Sequence, residues 1–160
     1  MNGWQRQVSR ALDEEHRATL DLLDRLERGL AGDARDAELG RLVGGFCRHV
    51  EAELARHFDF EERELFPRLV DAGDGDMAAL LLEEHHAIHT VADDMLPLGR
   101  AAAAGTLDAA GWVALKRAAL EMSERLRGHI QKETMGLVPL VDDLLDESVD
   151  RDLALAYAAG

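Results

Sequence analysis

His57-Phe58-Asp59-Phe60-Glu61-Glu62-Arg63-Glu64-Leu65-Phe66-Pro67 places a histidine and a glutamate four residues apart, with a proline six residues beyond the glutamate. The same spacing returns 72 residues later in His129-Ile130-Gln131-Lys132-Glu133 followed by Pro139. Upstream of each pair stands a second matching piece, Glu14-Glu15-His16 and Glu83-Glu84-His85, 69 residues apart. The chain is therefore a duplicated pair of segments. On a helix, residues i and i+4 lie about 40° apart around the axis and roughly 6 Å along it, so each His and Glu can reach inward to one metal ion. One such pair means little where Glu is common. Two pairs at matched places, with His16 and His85 at matched places on the partner segments, form a specific arrangement.

The surrounding periodicity is helical. Val8, Leu12, Thr19, Leu20, Leu23, Leu26 and Leu30 recur at helical spacing until Gly32-Asp33 breaks the run, which predicts a first helix over 5–30. Asp36 caps a second helix over 37–66, where Pro67 must end or kink it because it lacks an N–H and crowds the preceding turn. After the turn at Ala72-Gly73-Asp74-Gly75, a third helix spans about 76–104, bent near Pro97. A fourth follows Gly105-Thr106-Leu107-Asp108, spans about 109–145 and is broken around Gly136 and Pro139, and Asp150 to Tyr157 reads as a short terminal helix. Four long helices with short turns predict an all-α fold, an antiparallel up-down four-helix bundle, as a single domain over 1–160 with its core at about 8–145.

Composition agrees. The 160 residues are 47% hydrophobic and 31% charged, the balance of a folded chain, and they are rich in Ala, Leu, Glu and Arg. Only 4% are aromatic, which argues against a β-rich fold. A formal charge of −14 repels phosphate backbones and anionic lipid, so neither nucleic acid nor a membrane is an expected partner. The longest apolar stretches, such as Met77 to Leu82, fall far short of a bilayer span, and the start lacks a basic-then-apolar signal, so the chain reads as cytoplasmic. The single cysteine, Cys47, can build neither an internal disulfide nor a thiolate metal site and reads as a packed core thiol.

Which histidines share a level follows from their distances to the turns, since partners in an antiparallel pair are equidistant from the connection. His85 and His129 centre on residue 107, inside the third turn, while Glu61 with His85 and His57 with His89 both centre on residue 73, inside the second. His16 with His57 centres at 36.5, at the end of the first loop, whereas His16 with His49 centres at 32.5, inside it, so His49-x-x-x-Glu53 is a rival pair. His57 and Glu61 are preferred because His49 with His85 would centre at 67, short of the turn, and because His57 carries the downstream proline match. His49 and His86 read as surface or satisfied histidines, Glu62 as facing solvent or making an outer contact, and Gly44-Gly45 as a close helix approach or bend.

Imidazole and carboxylate without thiolate suit iron, manganese or zinc, and bridging carboxylates suit a pair of irons. With His16, His57-Phe58-Asp59-Phe60-Glu61-Glu62, Leu65-Phe66-Pro67, His85-x-x-x-His89 and His129-x-x-x-Glu133, the sequence resembles the hemerythrin-like family over about residues 8–141. The resemblance implies a di-iron centre of the Fe–O–Fe type within a four-helix bundle, with zinc or manganese as substitutes. The implied metal residues are His16, His57, Glu61, His85, His89, His129 and Glu133, with Glu61 and Glu133 bridging. In the oxygen-carrying hemerythrins the last carboxylate is an Asp five residues after its histidine, whereas Glu133 stands at four, as in the wider bacterial family. The implied function is binding of dioxygen or another small diatomic or anionic ligand by a carrier, store or sensor. The alternatives are a redox enzyme acting on peroxide, ferrous iron or nitric oxide, and a metal-stabilised interaction module. Two six-coordinate irons offer about twelve positions, of which bridging carboxylates take about four, an oxo or hydroxo bridge about two and five histidines about five. About one is left for an exogenous ligand, with His85 and His89 sharing one iron.

Overall fold

A computed structural model describes residues 3–160, and among them every regular element is helical. Five helices follow one another: α1, Gln7–Ala31; α2, residues 37–71; α3, Gly75–Ala104; α4, residues 109–144; and α5, Glu147–Ala159. In this helical bundle α2 packs against α1 and α3, α4 packs against α3 and α1, and α5 lies on α1.

The ends are fixed by local chemistry. Asp36, Asp108 and Asp146 each accept a hydrogen bond from the backbone N–H three residues on, at 3.0, 2.7 and 2.8 Å, which satisfies donors that a helix start leaves orphaned. Arg6, at the start of α1, gives no such cap. Its place is taken from across the fold: Asp150 of α5 accepts from the N–H groups of Gln7 and Val8, both at 2.9 Å, and Asp142 of α4 accepts from those of Gln5 and Arg6 at 3.0 and 2.8 Å. Gly105 ends α3 at a φ of +74°, with Thr106 N–H reaching back to the Ala101 carbonyl at 2.9 Å.

Three helical expectations need correction. Pro67 does not end α2, which continues to Asp71, and Pro139 does not break α4. Instead the helix widens just before each proline into a π turn, Glu61–Leu65 and Glu133–Leu137, in which Phe66 N–H reaches the Glu61 carbonyl and Val138 N–H the Glu133 carbonyl. The wider turn relieves the clash of the proline ring with the preceding turn and absorbs its missing donor. Pro97, where a bend and not an end is expected, sits inside α3; the third correction is the terminal helix, which begins at Glu147, earlier than residue 150.

The core has two lobes. One gathers Leu23, Leu26, Phe46, Met95, Leu115 and Met122, and the other Leu12, Leu65, Leu69, Leu81, Leu137 and Val141. Close approach of α2 to α3 tightens the first lobe: a Cβ on Gly40 would stand 2.6 Å from the Ala102 carbonyl oxygen, and one on Gly99 2.2 Å from Cys47 Sγ. Gly44 also abuts Ala103, whereas Gly45 does not join this contact. His16, His57, Glu61, His85, His129 and Glu133 are all buried, on the same helices that build both lobes.

Candidate metal centre

Burying four imidazoles and two carboxylates together is costly unless something satisfies them. Their ring nitrogens and oxygens converge. His16 Nε2 lies 3.0 Å from Glu133 Oε1, and His57 Nε2 lies 3.4 Å from Glu61 Oε2 and 3.9 Å from Glu133 Oε1. On the other side His85 Nε2 lies 3.4 Å from Glu61 Oε1, and His129 Nε2 lies 3.3 Å from Glu133 Oε2. Two sets of four donors result, His16 with His57 and His85 with His129, each completed by both Glu61 and Glu133, and within each set the donor atoms lie within 4.8 Å of one another. Each carboxylate turns one oxygen to each side.

The outer contacts repeat with the same logic. Nδ1 of His57 meets Glu15 Oε2 at 3.0 Å, that of His129 meets Glu84 Oε1 at 2.9 Å, and that of His85 meets Glu62 Oε2 at 2.8 Å. The fourth, His16 Nδ1, faces the Thr134 hydroxyl at 3.4 Å. A carboxylate only accepts, so Nδ1 of His57, His129 and His85 carries the proton and their Nε2 presents its lone pair inward, whereas His16 Nε2, 3.0 Å from Glu133 Oε1, donates to that carboxylate. That leaves His85 Nε2 and His129 Nε2 facing one another at 3.1 Å, a repulsive contact of two lone pairs that a shared proton or a cation relieves. His57 Nε2, both oxygens of Glu61 and Glu133 Oε2 are buried without any hydrogen-bond partner. Orphaned acceptors divided between two adjoining buried donor sets are what divalent cations require, and the residues fit them.

Without a cation, protons take its place. Burial, together with the charge of Glu133, pushes Glu61 up to about 8. Burial opposes charge on His129, yet the Glu133 carboxylate 3.3 Å from its Nε2 raises it to about 9, while burial and the neighbouring His129 push His85 down to about 3. Glu133 stays well below the usual carboxylate range despite burial, because the His129 ring stands beside it, His16 donates to it and His57 faces it.

Residues 7–141 match the model of the Hemerythrin HHE cation binding domain. The chain belongs to this family. Comparison with curated proteins finds no match. The family resemblance read from the histidine and glutamate spacing is thereby shown, and with it a cation-binding domain whose buried cluster suits a metal ion.

Of the seven expected residues of this hemerythrin-like domain, six converge and one does not. His89 is exposed. Phe58 takes the inward place, its ring stacked on His85 at 3.7 Å between centroids and edge-on to His89 at 5.8 Å; one turn beyond His85, the α3 surface has already turned away from the ring. His86 is exposed too, as its direction on the helix requires. His49 is half-buried and bonds through Nε2 to the Thr19 hydroxyl at 2.9 Å. It lines a cavity of about 210 Å³ that reaches His16, His57 and Glu133 past Leu54, Phe58 and Ile130. Sequence reasoning missed Glu15, Glu84 and Thr134. Their signal was present: Glu15 and Glu84 precede the matched histidines His16 and His85, and Thr134 follows Glu133 as Glu62 follows Glu61.

Proposed function

We propose that this is a non-haem di-iron protein that binds dioxygen or a related small ligand, as a carrier, store or sensor. The carrying observation is the split of Glu61 and Glu133, each with one oxygen toward His57 or His16 and the other toward His85 or His129. Carboxylate is the side chain that spans two cations, and an all-nitrogen-and-oxygen set with Cys47 elsewhere in the core suits iron. Iron would supply redox chemistry and open positions for a small ligand. The protein's own part is to hold the Nε2 lone pairs of His57, His85 and His129 inward, keep the ring dry between two apolar lobes, and admit ligands through the cavity beside His16 and His57.

With His89 outside the ring, four histidines rather than five fill positions, and about two of the twelve remain open instead of one. This openness favours a second reading, a redox enzyme acting on peroxide, ferrous iron or nitric oxide. For either reading we infer a single domain over 1–160 with antiparallel up-down topology in the first four helices, supported by the short connections between them, and a cytoplasmic location. No helix among the described residues is long and apolar enough to cross a membrane. Metal analysis with optical spectra before and after air exposure tests the proposal. Two irons per chain and a stable, reversible oxygenated spectrum support the carrier reading, peroxide or ferrous-iron turnover supports the enzyme, and a metal-free preparation that resists loading refutes both.

A further inference from the structure

Beyond residue 141, where the family match ends, α5 reaches back to the centre. Asp150, Leu153 and Tyr157 share one face of α5 at spacings of three and four, and all three turn toward the bundle. Asp150 caps α1 through Gln7 and Val8, Leu153 is buried in the second lobe, and Tyr157 bonds to Glu15. The tyrosine hydroxyl sits against both oxygens of the Glu15 carboxylate, 2.6 Å from Oε1 and 2.5 Å from Oε2, and Oε2 also accepts from His57 Nδ1 at 3.0 Å. The phenol ring is clamped between Phe60, at 4.5 Å between centroids, and the Arg56 guanidinium, 4.4 Å from the ring centre. Arg56 also donates to the Tyr157 carbonyl at 2.8 Å and lies 3.4 Å from Glu15 Oε1.

The other histidines have no such tether. Glu84, behind His129, is held from its own neighbourhood by Lys132, Glu62 behind His85 makes that one side-chain contact, and His16 has only a neutral hydroxyl. Glu15 moreover lines the cavity that leads to the ring. If its tyrosine bond were lost, the carboxylate would keep only a long contact to a half-exposed arginine, with room to swing toward the cavity and release the His57 ring.

We propose that Tyr157 is a positioning residue for the metal position formed by His16 and His57, acting through Glu15, so that the added helix α5 governs how firmly that one position holds its ion. The inference rests on the two-ion reading of the centre. Removing an outer partner of a ligating histidine typically weakens metal binding 10- to 100-fold. Tyr157 stands one bond further out, so about a tenfold faster release is expected, confined to one ion.

Cobalt(II), loaded to two ions per chain, is the probe, and its release into excess chelator is followed by visible absorption. In Y157F, which keeps the ring and its contacts, one equivalent should leave about tenfold faster while the other keeps the wild-type rate, and metal-free melting should stay within a few degrees. E15Q should accelerate the same equivalent, without adding to Y157F. E84Q should accelerate the other, so that Y157F combined with E84Q accelerates both. Two ions in the wild type with unchanged release in Y157F, or equal acceleration of both ions, overturns this inference alone. A wild-type stoichiometry below two overturns the two-ion reading and this inference with it.

Discussion

Replacing Glu61 by glutamine should make the metal-free protein more stable while depriving it of its metal. Glu61 is fully buried, neither carboxylate oxygen has a hydrogen-bond partner, and its ordinary value of 4.5 is pushed up to about 8 by burial and by Glu133. At pH 7 the unfolded chain has an ionised Glu61 and the folded chain a protonated one, so the native state binds more protons and stability falls as pH rises from 4.5 toward 8. At about 1.4 kcal/mol per pH unit between those values, the penalty is about 3 kcal/mol at pH 7 and under about 1 kcal/mol at pH 5. Glutamine does not titrate but still buries an amide, which returns about 1 kcal/mol of the gain. The net is about 2 kcal/mol at pH 7, a rise in Tm of about 4–8 °C for a chain of this size. Calorimetry of chelator-treated wild type and E61Q at pH 5 and pH 7 measures it, with cobalt titration of both. A lower Tm for E61Q at pH 7, or the same difference at both pH values, would refute the reasoning.

His89→Ala should leave metal content unchanged, whereas His57→Ala or His129→Ala should lower it; elemental analysis after identical loading decides, and loss of metal in H89A would return His89 to the ring. Gly99→Ala should cost about 1–3 kcal/mol, because the new methyl meets Cys47 Sγ at 2.2 Å. Cys47→Ala in the same chain should recover most of that in urea unfolding, since Cys47 Cβ stands 3.7 Å away. Asp150→Ala should lower metal-free stability by about 2 kcal/mol, since two N–H groups at the start of α1 lose a charged acceptor, one of them buried; a change in urea unfolding below about 0.5 kcal/mol would show that water replaces it.

Much of this was readable in the sequence because helical periodicity, capping aspartates and a duplicated motif are local signals. Asp36 marked a helix start that the structure keeps, and the turn ending at Asp108 placed another. Equidistance from the turns placed His85 level with His129 and favoured His57 over His49, and His57 indeed stands 5.0 Å from His16 between ring centroids. The same arithmetic set His57 level with His89, but a level fixes height along the bundle and says nothing of direction around the helix; His89 is exposed beside Phe58, which occupies the inward direction there. The prolines misled for a related reason. Pro67 and Pro139 forbid an α turn but not a π turn, and nothing in residue identity alone separates a stop from a widening. Tyr157 was invisible because its partner, Glu15, lies 142 residues away in sequence.

The division of the ring between the two halves of the chain has a topological consequence. The α1–α2 hairpin supplies His16, His57 and Glu61 to the first donor set and receives only Glu133, while the α3–α4 hairpin supplies His85, His129 and Glu133 to the second and receives only Glu61. A hairpin by itself could never close a four-donor set, and two hairpins close two sets at once. Each cation would therefore be a staple between chain halves, three of its protein bonds on one side and one on the other, crossed in opposite senses. Like a pair of cross-links driven from opposite faces, they would resist separation of the hairpins in a way that the short turn at Gly73 cannot, so the bundle would come apart along this seam only after both ions have gone.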